Sequence, residues 1–253
     1  MLARDAHNPR IGIPYRTRKE ELKGDFAKIE KYIAAVRQAG AEAVIISLGL
    51  SQPHLSKIAT TLDGVLLTGS PADVDPARFG AERHFRCADP DQDRERVDFA
   101  LLEHCLAEQK PVLAICYGIQ TLNVFLSGSL IQDIPTELKT TIEHDWDDDP
   151  GAPDRTHAVR IDPDSRLAQI ARGEQALVNS SHHQSIREPG RNLRVVSRAV
   201  DGVIEAVEWS AGGNWVTGVQ WHPERMTEAD ALARGLFADL VSVAAMRKSP
   251  ARA

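Results

Sequence analysis

Two short stretches of this chain hold residue types suited to acyl transfer: a cysteine, Cys116, in LAICYGIQTLNVF, and a histidine and a glutamate, His222 and Glu224, in GVQWHPE. Cys116 stands where an apolar, strand-like run turns through Tyr117 and Gly118 into a helical pattern. That is the geometry of a nucleophile elbow, with sulfur in place of the usual serine oxygen. Gly118 relieves crowding in such a turn. A thiol at a helix N-terminus lies at the positive end of the helix dipole, which favours its anion. The Tyr117 backbone N–H would point toward an oxygen held near the sulfur. Free cysteines are also common as small buried apolar residues, so this stretch alone leaves both roles open. Cys105, inside LLEHCLAEQ, reads as packing, and Cys87, in a polar loop, as incidental.

His222 and Glu224 are two residues apart. In an extended segment they project to the same side, with Pro223 discouraging helix between them, so the carboxylate can orient the imidazole. Together with a thiol they supply the base and nucleophile of a triad; a surface turn with a His–Glu pair is the other reading. Two weaker stretches follow. In LLTGSPADVDP, Gly69 lets backbone approach a ligand, and its N–H with that of Tyr117 makes a two-donor oxyanion hole, unless the motif is an ordinary turn. NSSHHQS, 179–185, offers hydrogen bonds to a polar substrate or is a solvated loop.

The elements that must position these residues are legible as alternating patterns. RIGIPY, AEAVIISL, DGVLLTG and PVLAIC read as strands. Between them lie an amphipathic helix in DFAKIEKYIAAVRQAG, closed by Gly40, a helix in SQPHLSKIATTL, which Ser51 could cap and Pro53 could begin, and a helix over about 93–108. Val/Ile/Leu-rich strands separated by helices imply a parallel sheet covered on both faces, a doubly wound α/β fold. After Gly128 the texture changes. SLIQDI reads as a strand, and EHDWDDDPGAPDRTH as an exposed acidic loop on the site's rim. HAVRID, ALVNS, LRVVSRAV, VIEAVEW and WVTGVQW read as strands with hairpins at Asp201-Gly202 and Gly212-Gly213-Asn214, adding antiparallel pairs to the sheet. A last amphipathic helix spans EADALARGLFADLVSVAAMR. No repeat or linker divides the 253 residues, so one domain is expected.

Composition narrows the classes. The net charge is -6 with scattered basic residues, which is no footprint for nucleic acid. Three cysteines without CxxC spacing or a paired His/Cys cluster suggest neither a disulfide framework nor a metal site. The N-terminal stretch has no apolar signal core, and no run approaches the roughly 18 apolar residues of a membrane span, so a cytoplasmic protein is expected.

Cys116-Tyr117-Gly118-Ile119-Gln120 after a strand, with GVQWHPE about a hundred residues later, resembles the class I glutamine amidotransferase superfamily. Within it, LLTGSPADVDPARFG, SGSLIQDIP and VNSSHHQ are similar to the branch of gamma-glutamyl-gamma-aminobutyrate hydrolases and gamma-glutamyl peptidases, which act without a synthetase partner. The resemblance implies a flavodoxin-like, mostly parallel sheet and a triad of Cys116, His222 and Glu224. It implies Gly69 and Tyr117 as oxyanion amides, and Gln120, Ser181, His182, His183 and Gln184 as substrate-binding residues. Ala114 stands where many members have glycine, and Tyr117 where this branch often has arginine, so its side chain is expected to change the pocket's charge preference. The implied reaction is hydrolysis of a γ-glutamyl amide through a thioester, with no cofactor. The leaving amine, whether aminobutyrate, a polyamine or an amino acid, would meet Arg78, Arg83 or the 143–153 segment. A homodimer is common among such enzymes. A glutaminase subunit that feeds ammonia to a synthetase and a non-catalytic binder of glutamyl metabolites are the alternatives.

Overall fold

A computed structural model describes residues 8–145 and 155–248. The first half alternates β1 (Arg10–Pro14), α1 (Arg18–Lys23), α2 (Ile29–Gln38), β2 (Glu42–Ile46), α3 (Gln52–Thr60), β3 (Gly64–Leu67), α4 (Gln92–Ala107), β4 (Val112–Ile115) and α5 (Tyr117–Phe125). The second half holds β5 (Ser129–Ile131), α6 (Ile134–Glu137), β6 (Arg155–Ile161), α7 (Arg166–Ala171), β7 (Gln175–Ser180), β8 (Ser185–Glu188), β9 (Leu193–Ala199), β10 (Ile204–Trp209), β11 (Val216–Val219) and α8 (Ala231–Lys248).

Nine strands form one sheet in the order β2-β1-β3-β4-β11-β10-β9-β6-β7. The pairs from β2 to β11 are parallel, and those from β11 to β7 antiparallel. Helices α2 and α8 pack on one face of the parallel half, and α3, α4 and α5 on the other. This is the doubly wound architecture expected, with the antiparallel extension also as expected. Both hairpins form, linking β9 to β10 and β10 to β11. The strands β3 and β4 are buried at every position, because helices cover both faces and leave no polar side for alternation. No described helix is long and apolar enough to cross a membrane.

Several short elements escaped the pattern reading. The helices α1 and α7 and the strand β8 have too few residues for a period to register. The acidic stretch expected to be an exposed loop is partly corrected: His144 is 2 % exposed and residues 155–157 belong to β6, while 146–154 lie outside the described residues.

A buried cation ties the floor of the site together. The Arg94 guanidinium on α4 donates to the carbonyls of Tyr15, Arg16 and Thr68 and to Asp98, so it fixes the ends of β1 and β3 to one helix. These four hydrogen bonds and the Asp98 charge compensate its burial. On the same face of the sheet, Gly118 lets α5 approach β3. A Cβ there would lie 2.5 Å from the Leu67 carbonyl oxygen, a backbone atom that cannot swing aside. Gly118→Ala is therefore expected to lower the unfolding free energy by about 2–3 kcal/mol, read as a lower urea midpoint at unchanged slope. A wild-type midpoint would show that the start of α5 is free to shift.

Candidate active site

Parallel α/β sheets bind ligands beyond the carboxyl ends of their strands. Here β3, β4 and β11 are neighbours, and the chain leaving them carries Gly69, Cys116 and His222. Cys116 is the turn between β4 and α5, with φ 51° and ψ -106°. An L-residue in that region stores about 1–3 kcal/mol unless its surroundings over-determine it. They do: its N–H donates to the Val219 carbonyl on β11, and its own carbonyl accepts from the N–H groups of Ile119 and Gln120 as α5 begins. The strained turn is held from both sides, as an elbow requires.

His222 is fixed at main chain and ring. The Asn179 side chain clamps its backbone, donating to the His222 carbonyl (3.0 Å) and accepting from its N–H (2.9 Å). Nδ1 lies 2.8 Å from Glu224 Oε1, which leaves Nε2 for the Cys116 sulfur. Burial alone would lower the pKa of this imidazole, but the Glu224 carboxylate and then the Cys116 sulfur outweigh it and raise it to about 9. Burial acts to raise the Glu224 pKa, yet the His222 cation and then Arg225 hold it below the ordinary carboxylate value. The segment is not extended as expected. Pro223–Arg225 forms a 3-10 turn with Pro223 at its first position, and that turn brings the carboxylate back to the ring.

Tyr32, on the buried face of α2, was not anticipated. Its hydroxyl accepts the Gly69 N–H (3.1 Å) and lies 3.5 Å from His222 Nδ1. Burial, and then the Glu224 charge, hold its pKa well above the ordinary tyrosine value, so the hydroxyl keeps its proton. The Gly69 N–H expected in the oxyanion hole is thus directed to Tyr32. The N–H groups of Ser70 and Tyr117 have no acceptor among the described residues. The Tyr117 ring corrects another expectation: it is 1 % exposed and lies under the Arg94 guanidinium, 5.0 Å away, rather than in the pocket.

A cavity of about 200 Å³ opens over Cys116, bordered by cationic Arg16, Lys28 and Arg225 and acidic Asp73 and Asp145. Mixed charge of this kind suits a zwitterionic amino-acid head, and the volume suits one of that size. Gln120, Ser181 and His183 border it as expected. Gln120 Nε2 donates to the Gln184 carbonyl and to Gln220 Oε1. His183 bridges Asp73 and Asp133. Burial would lower its pKa, but Asp73 first and then Asp133 raise it to about 9, so it is a cation at neutral pH.

The other two members of that stretch behave differently. His182 reaches the cavity wall, but its ring turns inward to Glu205. The Gln184 amide donates to the Gln132 carbonyl and the Cys87 sulfur. Arg78 and Arg83 are not at the cavity; they pair with Glu95 and Asp89. A larger open groove, about 910 Å³, meets the cavity at Pro71 and Ala72 and carries five carboxylates against three cationic side chains, but no triad residue.

The chain matches the model of the Peptidase C26 family over residues 9–224. It is 33 % identical over 207 residues to the protein NtpR of Enterococcus hirae, covering 81 % of this chain and 84 % of that one. It is 32 % identical over 245 residues to the gamma-glutamyl-gamma-aminobutyrate hydrolase PuuD of Escherichia coli K12, covering 93 % of each. Among solved structures, a glutamine amidotransferase from Thermotoga maritima shares the fold, with a TM-score of 0.58 at 16 % identity over 93 % of this chain and 99 % of that one. The chain belongs to the Peptidase C26 family, within the class I glutamine amidotransferase-like fold.

Proposed function

We propose that this protein hydrolyses the γ-glutamyl amide of a small γ-glutamyl amine, with Cys116 as nucleophile, His222 as acid and base, and Glu224 as its positioning partner. One observation carries the reading: a strained cysteine at a helix N-terminus and a His–Glu pair 2.8 Å apart meet beside a cavity of amino-acid size. The relative named as a gamma-glutamyl-gamma-aminobutyrate hydrolase, aligned over 93 % of the chain, supports the same substrate class.

The chemistry follows from the geometry. The Cys116 sulfur gives its proton to His222 and attacks the side-chain carbonyl carbon. The carbonyl electrons move to oxygen, where the N–H of Tyr117 and that of Ser70, the cavity-lining neighbour of Gly69, stabilise them. As the C–N bond breaks, His222 protonates the nitrogen and the amine departs, leaving a γ-glutamyl thioester. Water then gives a proton to His222 and attacks the thioester. The C–S bond breaks, the thiolate recovers its proton, and glutamate leaves. The mixed charge around the cavity suits the glutamyl head, and the groove beyond Pro71 and Ala72 gives the amine room.

The decisive experiment is glutamate release from a panel of γ-glutamyl adducts of diamines, aminobutyrate and amino acids, with free glutamine included. Release from one or more adducts over glutamine is expected and names the leaving group. Release from glutamine alone would instead make the protein the glutaminase half of an amidotransferase.

The raised pKa of His222 fixes a pH dependence. The imidazolium that protonates the leaving amine exists below about 9 and is lost above it, so kcat is expected to fall along an alkaline limb near that pH. Glu224→Gln removes the charge that raises the imidazole pKa. The limb should move to lower pH, with kcat down about a hundredfold, because the base remains but its orientation weakens. An unmoved limb with wild-type kcat would reject the role given to Glu224.

A further inference from the structure

Away from the triad, four side chains from four separate segments meet inside the antiparallel half of the fold. His144 follows the loop after α6, His157 lies on β6, His182 follows β7 and Glu205 lies on β10. They are 2 %, 8 %, 4 % and 0 % exposed. His144 Nδ1, His157 Nε2 and His182 Nε2 stand 3.5, 3.4 and 3.6 Å from Glu205 Oε1, and the four candidate ligand atoms all lie within 4.8 Å of one another. None of these nitrogens, and neither Glu205 oxygen, has a hydrogen-bond partner among the described residues.

The outer ring nitrogens explain why. His144 Nε2 lies 2.9 Å from Asp201 Oδ2, His182 Nδ1 3.0 Å from the Gln184 carbonyl, and His157 Nδ1 3.4 Å from the Ala158 carbonyl. Each partner is an acceptor, so each outer nitrogen carries the ring's proton and turns a lone pair inward. Three lone pairs and a carboxylate then face one another in a buried space, which is costly unless something positive lies between them. Bridging protons fit poorly, since charge-assisted N–H···O bonds run about 2.7–2.9 Å. Metal–ligand bonds of about 2.0–2.1 Å in a tetrahedron put neighbouring ligand atoms about 3.3–3.4 Å apart, close to the three distances to Glu205, and the remaining pairs, all within 4.8 Å, need only draw in around the ion. Outer-shell carboxylate and carbonyl partners are what ligating histidines normally have.

We propose that His144, His157, His182 and Glu205 bind a zinc ion in a closed, structural site. Four protein ligands leave no position for substrate or water, so the metal acts on architecture. It ties β6 and β10 to the end of β7 and the residues that follow it, where the Ser180 hydroxyl and the His182 N–H already donate to the His144 carbonyl. That stretch begins at Asn179, which clamps His222, and continues through Ser181 and His183 at the cavity wall. The ion therefore sets the wall of the active site without touching the reaction.

The test is metal content. Protein grown with added zinc, freed of any affinity tag and dialysed against metal-free buffer is expected to hold roughly one zinc per chain by elemental mass spectrometry. Stripping with a chelator should lower the melting temperature, and Zn2+, but not Mg2+ or Ca2+, should restore it. Glu205→Gln and His157→Asn should lose the zinc, whereas Cys116→Ala should keep it. Should both ligand variants fail to fold, Asp201→Asn, which reaches the site through His144 and keeps oxygen acceptors for the Thr140 hydroxyl and the Val203 N–H, should weaken zinc affinity about tenfold. Only traces of zinc in the wild type and no thermal response to added Zn2+ would overturn the proposal. So would zinc retained in the ligand variants or lost with Cys116→Ala.

Discussion

In Cys116→Ala, glutamate release from the best γ-glutamyl amine is expected to fall by about 10⁵-fold, since removing the nucleophile of a triad disables the group as a unit. The thiol is 6 % exposed, and alanine keeps the Cβ that makes φ 51° costly, so the fold should melt near the wild-type temperature. Cys116→Gly separates the two roles. Glycine accepts a positive φ without penalty, so this variant should be as inactive as alanine yet more stable by about 1–2 kcal/mol. Neither remaining thiol is placed to take over. Burial pushes Cys105 up to about 12, and burial, followed by Asp73, raises Cys87. Substantial hydrolysis by pure Cys116→Ala would mean that the nucleophile is misassigned, and a Cys116→Gly variant no more stable than alanine would mean that the elbow stores no strain.

The parallel half of the fold was legible because its strands are apolar runs and α2 between them keeps a 3.6-residue period. The triad was legible because Cys116 and the His222–Glu224 pair sit where those runs end. Residues acting across the sheet left no such trace. Tyr32 looked like one apolar position on a helix, and Asn179 like part of a polar loop. Their roles come from a hydroxyl meeting the Gly69 N–H and a carboxamide meeting the His222 backbone, contacts that no local spacing encodes. His182 shows the same limit in reverse. The family resemblance implied a substrate role for it, but its ring turns to Glu205, 23 positions later on β10, three places across the sheet from β7. Four ligands scattered over 144–205 have none of the short spacings by which a metal site is read from sequence.

Gly69→Ala isolates the close packing around the imidazole. The position does not require a positive φ, so the backbone tolerates alanine and the effect is one of space. A Cβ there would stand 2.8 Å from His222 Cε1, 3.0 Å from the Tyr32 hydroxyl and 3.5 Å from Cys116 Cβ. The Tyr32 hydroxyl is the tip of a side chain and can withdraw a little. The imidazole cannot, because Asn179 holds its main chain and Glu224 its ring. Either the ring leaves its line to the sulfur, or the strand end carrying Gly69 retreats and takes the Ser70 N–H with it. Misplacement on the scale of an ångström costs about a hundredfold, and loss of an oxyanion donor about as much or more, so kcat/KM should fall by about 10²–10³. Stability should change little, since the methyl borders the cavity and the loop can move into it. Tyr32→Phe frees the Gly69 N–H without adding an atom, and its loss should be nearer tenfold, the scale of one neutral hydrogen bond. A stable Gly69→Ala enzyme with wild-type kcat/KM would show that the loop after β3 stands farther from His222 in the working enzyme, and would remove this wall from the active site.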